Sequence, residues 1–208
     1  VATAMVSRIP IAHISGGESS EGQIDEAIRH SITKMSHLHF VSNNEYYKRV
    51  VQLGENPKTV FNYGSPSLDN IYNINLLSYE DLEKAINFNL GSLNFLVTFH
   101  PVTLEEDTSS IQFKNLLNAI SAFNDAKIIF TLPNSDTNGR IIIKMIEDFV
   151  VSNPLRSKAF KSLGQLRYFT VLKHFDIVIG NSSSGIREGA YIGTPVVNIG
   201  SRQNQRIR

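Results

Sequence analysis

Three short stretches of this sequence concentrate side chains able to do chemistry. In HISGGESSEGQIDEAIRH (13–30), the double glycine Gly16-Gly17 is followed by Glu18, Glu21, Asp25 and Glu26 within nine residues. Carboxylates gathered this closely raise one another's pKa and suit general acid or base work. The dipole of a helix starting there would favour Asp25 and Glu26 equally well, at about 0.3–1 kcal/mol each. That explanation leaves Glu18 and the glycines before it without a reason. In LVTFHPVT (96–103), His100 ends an apolar run, and Pro101 holds it in an extended conformation. Protonated, such a histidine stabilises a leaving phosphate; neutral, it relays a proton; packing is the ordinary alternative.

The third stretch, GNSSSGIREG (180–189), directly follows the apolar run DIVIG. Ser182, Ser183 and Ser184, with Gly185 behind them, would direct several hydroxyls and backbone N–H groups at one spot as a helix begins near Ser184. That arrangement holds a phosphate, and the competing reading is a solvated turn. Glu188, about one turn further on, is placed to accept hydrogen bonds from ribose hydroxyls. Arg202 and Arg206 offer guanidinium groups suited to a diphosphate or a base, although each alone reads as an ordinary surface arginine. His37 and His39 in SHLHF share one strand face, as a metal pair would, but no third ligand accompanies them and packing is favoured. PNSD (133–136) reads as an Asn/Asp turn.

The elements that must carry these stretches are short β-branched runs alternating with amphipathic segments. Strands are predicted at 10–15, 38–42, 59–63, 94–99, 127–132, 176–180 and 195–199. In 24–35, Ile24, Ile28, Ile32 and Met35 recur on one helical face, and in 109–123 Leu116, Leu117, Ile120 and Phe123 do the same. The segment 140–151 is a broader, more buried helix. Strands separated by single helices predict right-handed βαβ units and a mostly parallel sheet. In such sheets ligands lie at the carboxyl ends of the strands, where all three stretches fall. The stretch 73–92 lacks a strand pattern and holds an exposed-looking helix, SYEDLEKAI, with Ser78 and Asp81 as a capping signal. A domain boundary is therefore expected near residue 73.

Composition narrows the classes of function. The net charge of +1 advertises neither a nucleic-acid partner nor a membrane surface. The absence of cysteine excludes disulfides, thiolate catalysis and cysteine-type zinc sites, and fits a cytoplasmic setting. No run approaches the ~20 apolar residues that span a bilayer. The chain opens at Val1 in VATAMV, which reads like the tail of a helix, and ends at Arg208 inside the polar SRQNQRIR. We read it as an internal stretch of a longer protein.

Together the three strand ends resemble the UDP-N-acetylglucosamine 2-epimerase family, and more closely its hydrolysing branch, which feeds sialic and legionaminic acid synthesis. HISGGE, DEAIRHSITKMSHLHF, QLGE, VFNYGSPSLDNI, TFHPVT and GNSSSGIREGAYIGTPVVNIGSRQ carry the likeness over almost the whole chain. The resemblance implies an α/β fold of two Rossmann-like domains of GT-B type, with the active site in the cleft between them. Residues 1–72 would then end the N-terminal domain and 73–208 would form most of the C-terminal, nucleotide-binding one, both incomplete. It also implies a homo-oligomer, a nucleotide-sugar substrate, and neither metal nor nicotinamide as cofactor.

By the same resemblance, Asp25 matches the acid opening the (D/E)-(D/E)-x-x-R helix and His100 the histidine of the FHP motif. Ser182, Ser183 and Ser184 match the serines that contact the diphosphate, and Glu188 the acid that grips the ribose. Many members carry glutamate where Ser15 stands here. Either Glu18 compensates or the substrate differs. The implied reaction removes the C2 proton as the nucleoside diphosphate leaves C1, and water then adds to the glycal. A GT-B glycosyltransferase or a non-hydrolysing 2-epimerase is the alternative, and residues 1–208 alone are expected to be inactive.

Overall fold

The computed structural model describes residues 1–19, 24–101, 108–133 and 139–204. Two compact units divide the chain, Val1–Asn70 and Ile71–Gln203. The first runs α1 (Ala2–Val6), β1 (Ala12–Ile14), α2 (Ile24–Lys34), β2 (Leu38–Val41), α3 (Asn44–Gln52), β3 (Val60–Asn62) and α4 (Pro66–Asn73), within which the division falls. Its three strands are parallel, in the order β1-β2-β3. Asn43 caps α3 by accepting the Tyr46 N–H at 2.9 Å, a contact worth about 1 kcal/mol. Tyr46 and Val50 from that helix bury against Val41 and Val60.

The second unit continues with α5 (Tyr79–Ile86), β4 (Asn94–Thr98), α6 (Ser109–Ser121), β5 (Lys127–Thr131), α7 (Gly139–Ser152), β6 (Ser157–Phe160), α8 (Gly164–His174) and β7 (Ile177–Gly180). A π-helical turn, Gly185–Gly189, then leads into α9 (Ala190–Ile192) and β8 (Val196–Asn198). The sheet is parallel throughout, in the order β6-β5-β4-β7-β8. Every residue of β4 is buried, as expected of a central parallel strand covered on both faces. Phe95, Val97 and Phe99 pack there with Phe113 and Ile120 of α6 and Ile142 and Ile146 of α7. Each such side chain contributes roughly 1.5–3 kcal/mol by leaving water.

Chain order gives this sheet a topological switch point. The strands β4, β5 and β6 step outward on one side; the chain then crosses back, and β7 and β8 extend the other side. The crevice at the carboxyl ends of β4 and β7 is where open α/β sheets place ligands.

All seven predicted strands are present, with ends trimmed by one to three residues. Two helical faces differ from expectation. Ile28 is exposed, while Thr33 is buried, because Thr33 Oγ1 lies 3.1 Å from His13 Nδ1 and also bonds the Arg29 carbonyl. Thr33 of α2 thus packs inward within the first unit. Likewise α5 is not an exposed helix: Leu82 and Ile86 are fully buried and the helix packs on α8. Its Ser78 cap is as expected, accepting from the Asp81 N–H at 3.1 Å. Among the described residues no helix is long and apolar enough to cross a membrane.

Gly180 holds φ at 142°, and a Cβ there would collide with the Thr98 carbonyl oxygen of the neighbouring strand. Gly64 also has positive φ, 86°, but open space beside it. Gly64→Ala should therefore cost only the backbone term, about 1 kcal/mol. Gly180→Ala should cost at least about 3 kcal/mol, since backbone strain and a backbone clash combine. Urea unfolding midpoints of the two variants test the contrast.

Candidate functional site

At the switch point, β4 and β7 end side by side, with Thr98 paired to Gly180. Asn181 follows, 1% exposed, and its N–H donates to the Thr98 carbonyl at 3.0 Å. Its side-chain amide then takes hold of His100 from both sides. Asn181 Oδ1 accepts the His100 N–H at 2.7 Å, and Asn181 Nδ2 donates to the His100 carbonyl at 2.7 Å. The Asn181 carbonyl in turn accepts Arg202 Nη1 at 3.1 Å and Gln203 Nε2 at 2.7 Å. One buried amide thus joins the histidine strand end, the serine loop and the turn that bears Arg202. Sequence reasoning did not single out Asn181; an amide between a strand-end glycine and a serine run was the available signal.

The serines follow at once, each half-buried. The Ser184 N–H reaches Ser182 Oγ at 3.3 Å and the Gly185 N–H donates to the Ser182 carbonyl at 3.2 Å, which tightens the loop into the π-helical turn. Side chains at Gly185 and Gly189 would press on Val196, so the turn lies flat against β8. Ser182 and Ser184 line a pocket of about 360 Å³ together with Thr98, Thr131, Tyr168 and Lys161. A larger cavity, about 470 Å³, lies between α6 and the sheet; Phe95, Leu116, Ile177 and Val197 line it, and it offers almost no polar group to orient a ligand.

Glu188 is 5% exposed, and its Oε2 has no hydrogen-bond partner among the described residues. Its other oxygen is 3.9 Å from Arg187 Nε. A buried carboxylate oxygen without a donor is costly.

In the first unit, β1 leads into Ser15, whose φ is 65°, and then Gly16-Gly17. A Cβ on Gly17 would strike the Tyr46 carbonyl oxygen, so the loop can run this close to α3 only with glycine. Glu18 and Ser19 are buried behind that turn. Arg29 ties the Asp25 carboxylate to the loop backbone: its Nη2 pairs with Asp25 Oδ2 at 2.8 Å and its Nη1 donates to the Glu18 backbone carbonyl at 3.0 Å. Arg49 donates likewise to the Gly17 carbonyl. Ser19 Oγ donates to Glu26 Oε1 at 3.0 Å, and His30 Nε2 lies 3.7 Å from the same oxygen. Asp25 is left about half exposed.

His13 bonds Thr33 beneath this loop, and burial lowers its pKa, with His39, Arg29 and His30 adding in the same direction. His37 and His39 occupy different environments. His37 is exposed and accepts the Ile11 N–H at 3.2 Å, whereas His39 is fully buried with Nε2 3.2 Å from Glu55 Oε2. Lys34 Nζ holds the other Glu55 oxygen at 2.6 Å. Packing and pairing explain both rings. Glu21, Arg206 and residues 134–136 of the PNSD turn lie outside the described residues.

Residues 1–208 match the family profile described as UDP-N-acetylglucosamine 2-epimerase. Over 204 residues the chain is 44% identical to a Campylobacter jejuni protein named GDP/UDP-N,N'-diacetylbacillosamine 2-epimerase (hydrolyzing), covering 98% of this chain and 53% of that protein. Over 200 residues it is 38% identical to the Legionella pneumophila UDP-N,N'-diacetylbacillosamine 2-epimerase (hydrolyzing), covering 96% and 52%. The chain thus spans about half the length of these curated relatives. The fold is that of the Methanocaldococcus jannaschii UDP-GlcNAc 2-epimerase crystallised with UDP-GlcNAc and UDP, at a TM-score of 0.74 and 19% identity over 95% of this chain and 55% of that one.

Two outcomes follow from the site's geometry. Asn181→Leu removes both amide bonds and strands the His100 N–H and carbonyl, so unfolding free energy should fall by roughly 2–4 kcal/mol in urea titrations. Because the folded chain lowers the His13 pKa below 6.5, the unfolded chain binds more protons between that lowered value and 6.5. His13's contribution is therefore intact above pH 6.5 and is lost as pH falls towards the lowered value. His13→Gln should flatten that decline in midpoints measured from about pH 5 to pH 8.

Proposed function

The chain belongs to the UDP-N-acetylglucosamine 2-epimerase family, and on that premise we propose that it carries the acid/base loop and the nucleotide seat of a hydrolysing nucleotide-sugar 2-epimerase. The observation that carries the reading is Glu188, a buried carboxylate with an unpartnered oxygen, beside three serines at the switch point. A nucleoside diphosphate supplies what that arrangement needs, ribose hydroxyls for Glu188 and phosphate oxygens for the serines. The names of the Campylobacter and Legionella relatives support a UDP- or GDP-linked 2,4-diacetamido sugar as substrate. The cysteine-free sequence supports a cytoplasmic setting.

In this reading Asp25 takes the C2 proton while the C1–O bond breaks and its electron pair leaves with the diphosphate. Arg29 holds the Asp25 carboxylate in place. Water then adds across the C1=C2 bond, its oxygen to C1 and a proton to the opposite face of C2. The product is a free sugar of inverted C2 configuration. We assign that second proton delivery to Glu18, the buried acid three residues beyond Ser15. His100, locked by Asn181, stands at the strand end and balances charge on the leaving phosphate.

The intact protein should release nucleoside diphosphate and free sugar from such a donor with no acceptor present, followed by ³¹P and ¹H NMR. Release of neither product from any UDP- or GDP-linked 2-acetamido donor would overturn the reading. Asp25→Asn should lower kcat by about 10²–10⁴-fold and leave nucleotide affinity nearly unchanged. Glu188→Gln should instead weaken nucleoside diphosphate binding by roughly tenfold, measured by calorimetry.

A further inference from the structure

We propose that Tyr168 is a positioning residue of the diphosphate seat, a phenol that fixes the proton of the Ser184 hydroxyl so that this serine donates to the leaving group. The inference rests on the nucleotide-site reading above. The Tyr168 hydroxyl lies 2.8 Å from Ser184 Oγ. Each of these groups has one proton to give and lone pairs to offer. The phenol is the stronger acid of the two, so the shared proton is its own and Ser184 accepts. With a lone pair filled from behind, Ser184 directs its proton elsewhere, and the pocket that Ser182, Ser184 and Tyr168 line together is the open side.

Two features hold the phenol in that role. Burial pushes its pKa up to about 12, against the Ser184 hydrogen bond and with Glu188 adding to the rise, so it stays a proton donor at any physiological pH. Its helix is rigidly seated: Phe169, Val171 and Leu172 are buried, Thr170 accepts the Leu77 N–H, and Thr194 Oγ1 donates to the Leu172 carbonyl. The neighbouring hydroxyls Thr98 and Thr131 bond each other instead. Orientation matters here because the seat is built largely from neutral hydroxyls. A serine turned the wrong way would present a lone pair to a phosphate oxygen, whereas a Lys or Arg presents protons in every rotamer.

The test is a double-mutant cycle in the intact protein, with Tyr168→Phe, Ser184→Ala and both together, reading Kd for UDP, GDP, uridine and guanosine by calorimetry. Tyr168→Phe should weaken the bound diphosphate by roughly tenfold and its nucleoside by less than about twofold. Ser184→Ala should do the same, and the double variant should bind no more weakly than Ser184→Ala alone. Additive losses, equal losses for nucleoside and diphosphate, or an unchanged Tyr168→Phe would overturn the positioning role. Wild-type protein that binds neither diphosphate would overturn the nucleotide-site reading and this inference with it.

Discussion

Where β4 meets β7, the carbonyl of Thr98 approaches the Cα of Gly180 so closely that no side chain fits between them. That approach lets the chain leave the sheet at φ 142° and turn Asn181 back, so that its N–H meets the same carbonyl. From there the dependence spreads in two directions. The amide side chain fixes the backbone of His100 on the neighbouring strand, and the Asn181 carbonyl collects Arg202 and Gln203 from the turn after β8. The histidine and the serine loop therefore do not adopt their positions independently. A single glycine–carbonyl contact, multiplied by one buried amide, sets the distance between them.

The same economy recurs in the first unit, where guanidinium groups hold backbone rather than substrate. Arg49 grips the Gly17 carbonyl and Arg29 the Glu18 carbonyl, while the other arm of Arg29 holds Asp25. Loop carbonyls just past a strand end have no ladder partner, and a buried carbonyl without a donor is costly. A guanidinium satisfies one and at the same time pairs with a carboxylate beside it. Arg202 acts in the same way on Asn181. Arg202 reads in the sequence as an ordinary surface arginine because its partner is a backbone atom, which leaves no mark in residue type.

That distinction explains which parts were legible in advance. Strand positions were readable because β-branched runs are periodic and local; β6, with the sequence SKAF and a lysine at its centre, was not. The carboxylates, the serines, His100 and Glu188 stood out by type and spacing at strand ends. Asn181 and Tyr168 did not, since each matters through a partner 81 or 16 residues away. Within α8, Tyr168 looks like one more aromatic beside Phe169; only the fold separates the ring that packs from the ring that donates. The stripe of α2 misled at Ile28, which is exposed while Thr33 faces inward because His13 offers it a partner across the loop.

The proposed chemistry gives a reason for keeping the two sets of groups on separate units. Abstracting a C2 proton needs an ionised carboxylate, and departure of a diphosphate places more negative charge at C1's oxygen. Two like charges about 4 Å apart repel by roughly 4 kcal/mol at a partly wet protein site, enough to slow the step by nearly a thousandfold. A loop that carried both Asp25 and the diphosphate seat would work against itself. Here the acid cluster follows β1, where Arg29 offsets its charge, and the seat follows β7, where hydroxyls and a histidine strand end offer protons instead. Glu188 is a buried carboxylate on the turn that follows Ser184, and such an environment suits ribose hydroxyls, which are neutral, and disfavours a phosphate. On the proposed reading, the placement of each charge selects which part of a nucleotide sugar it meets.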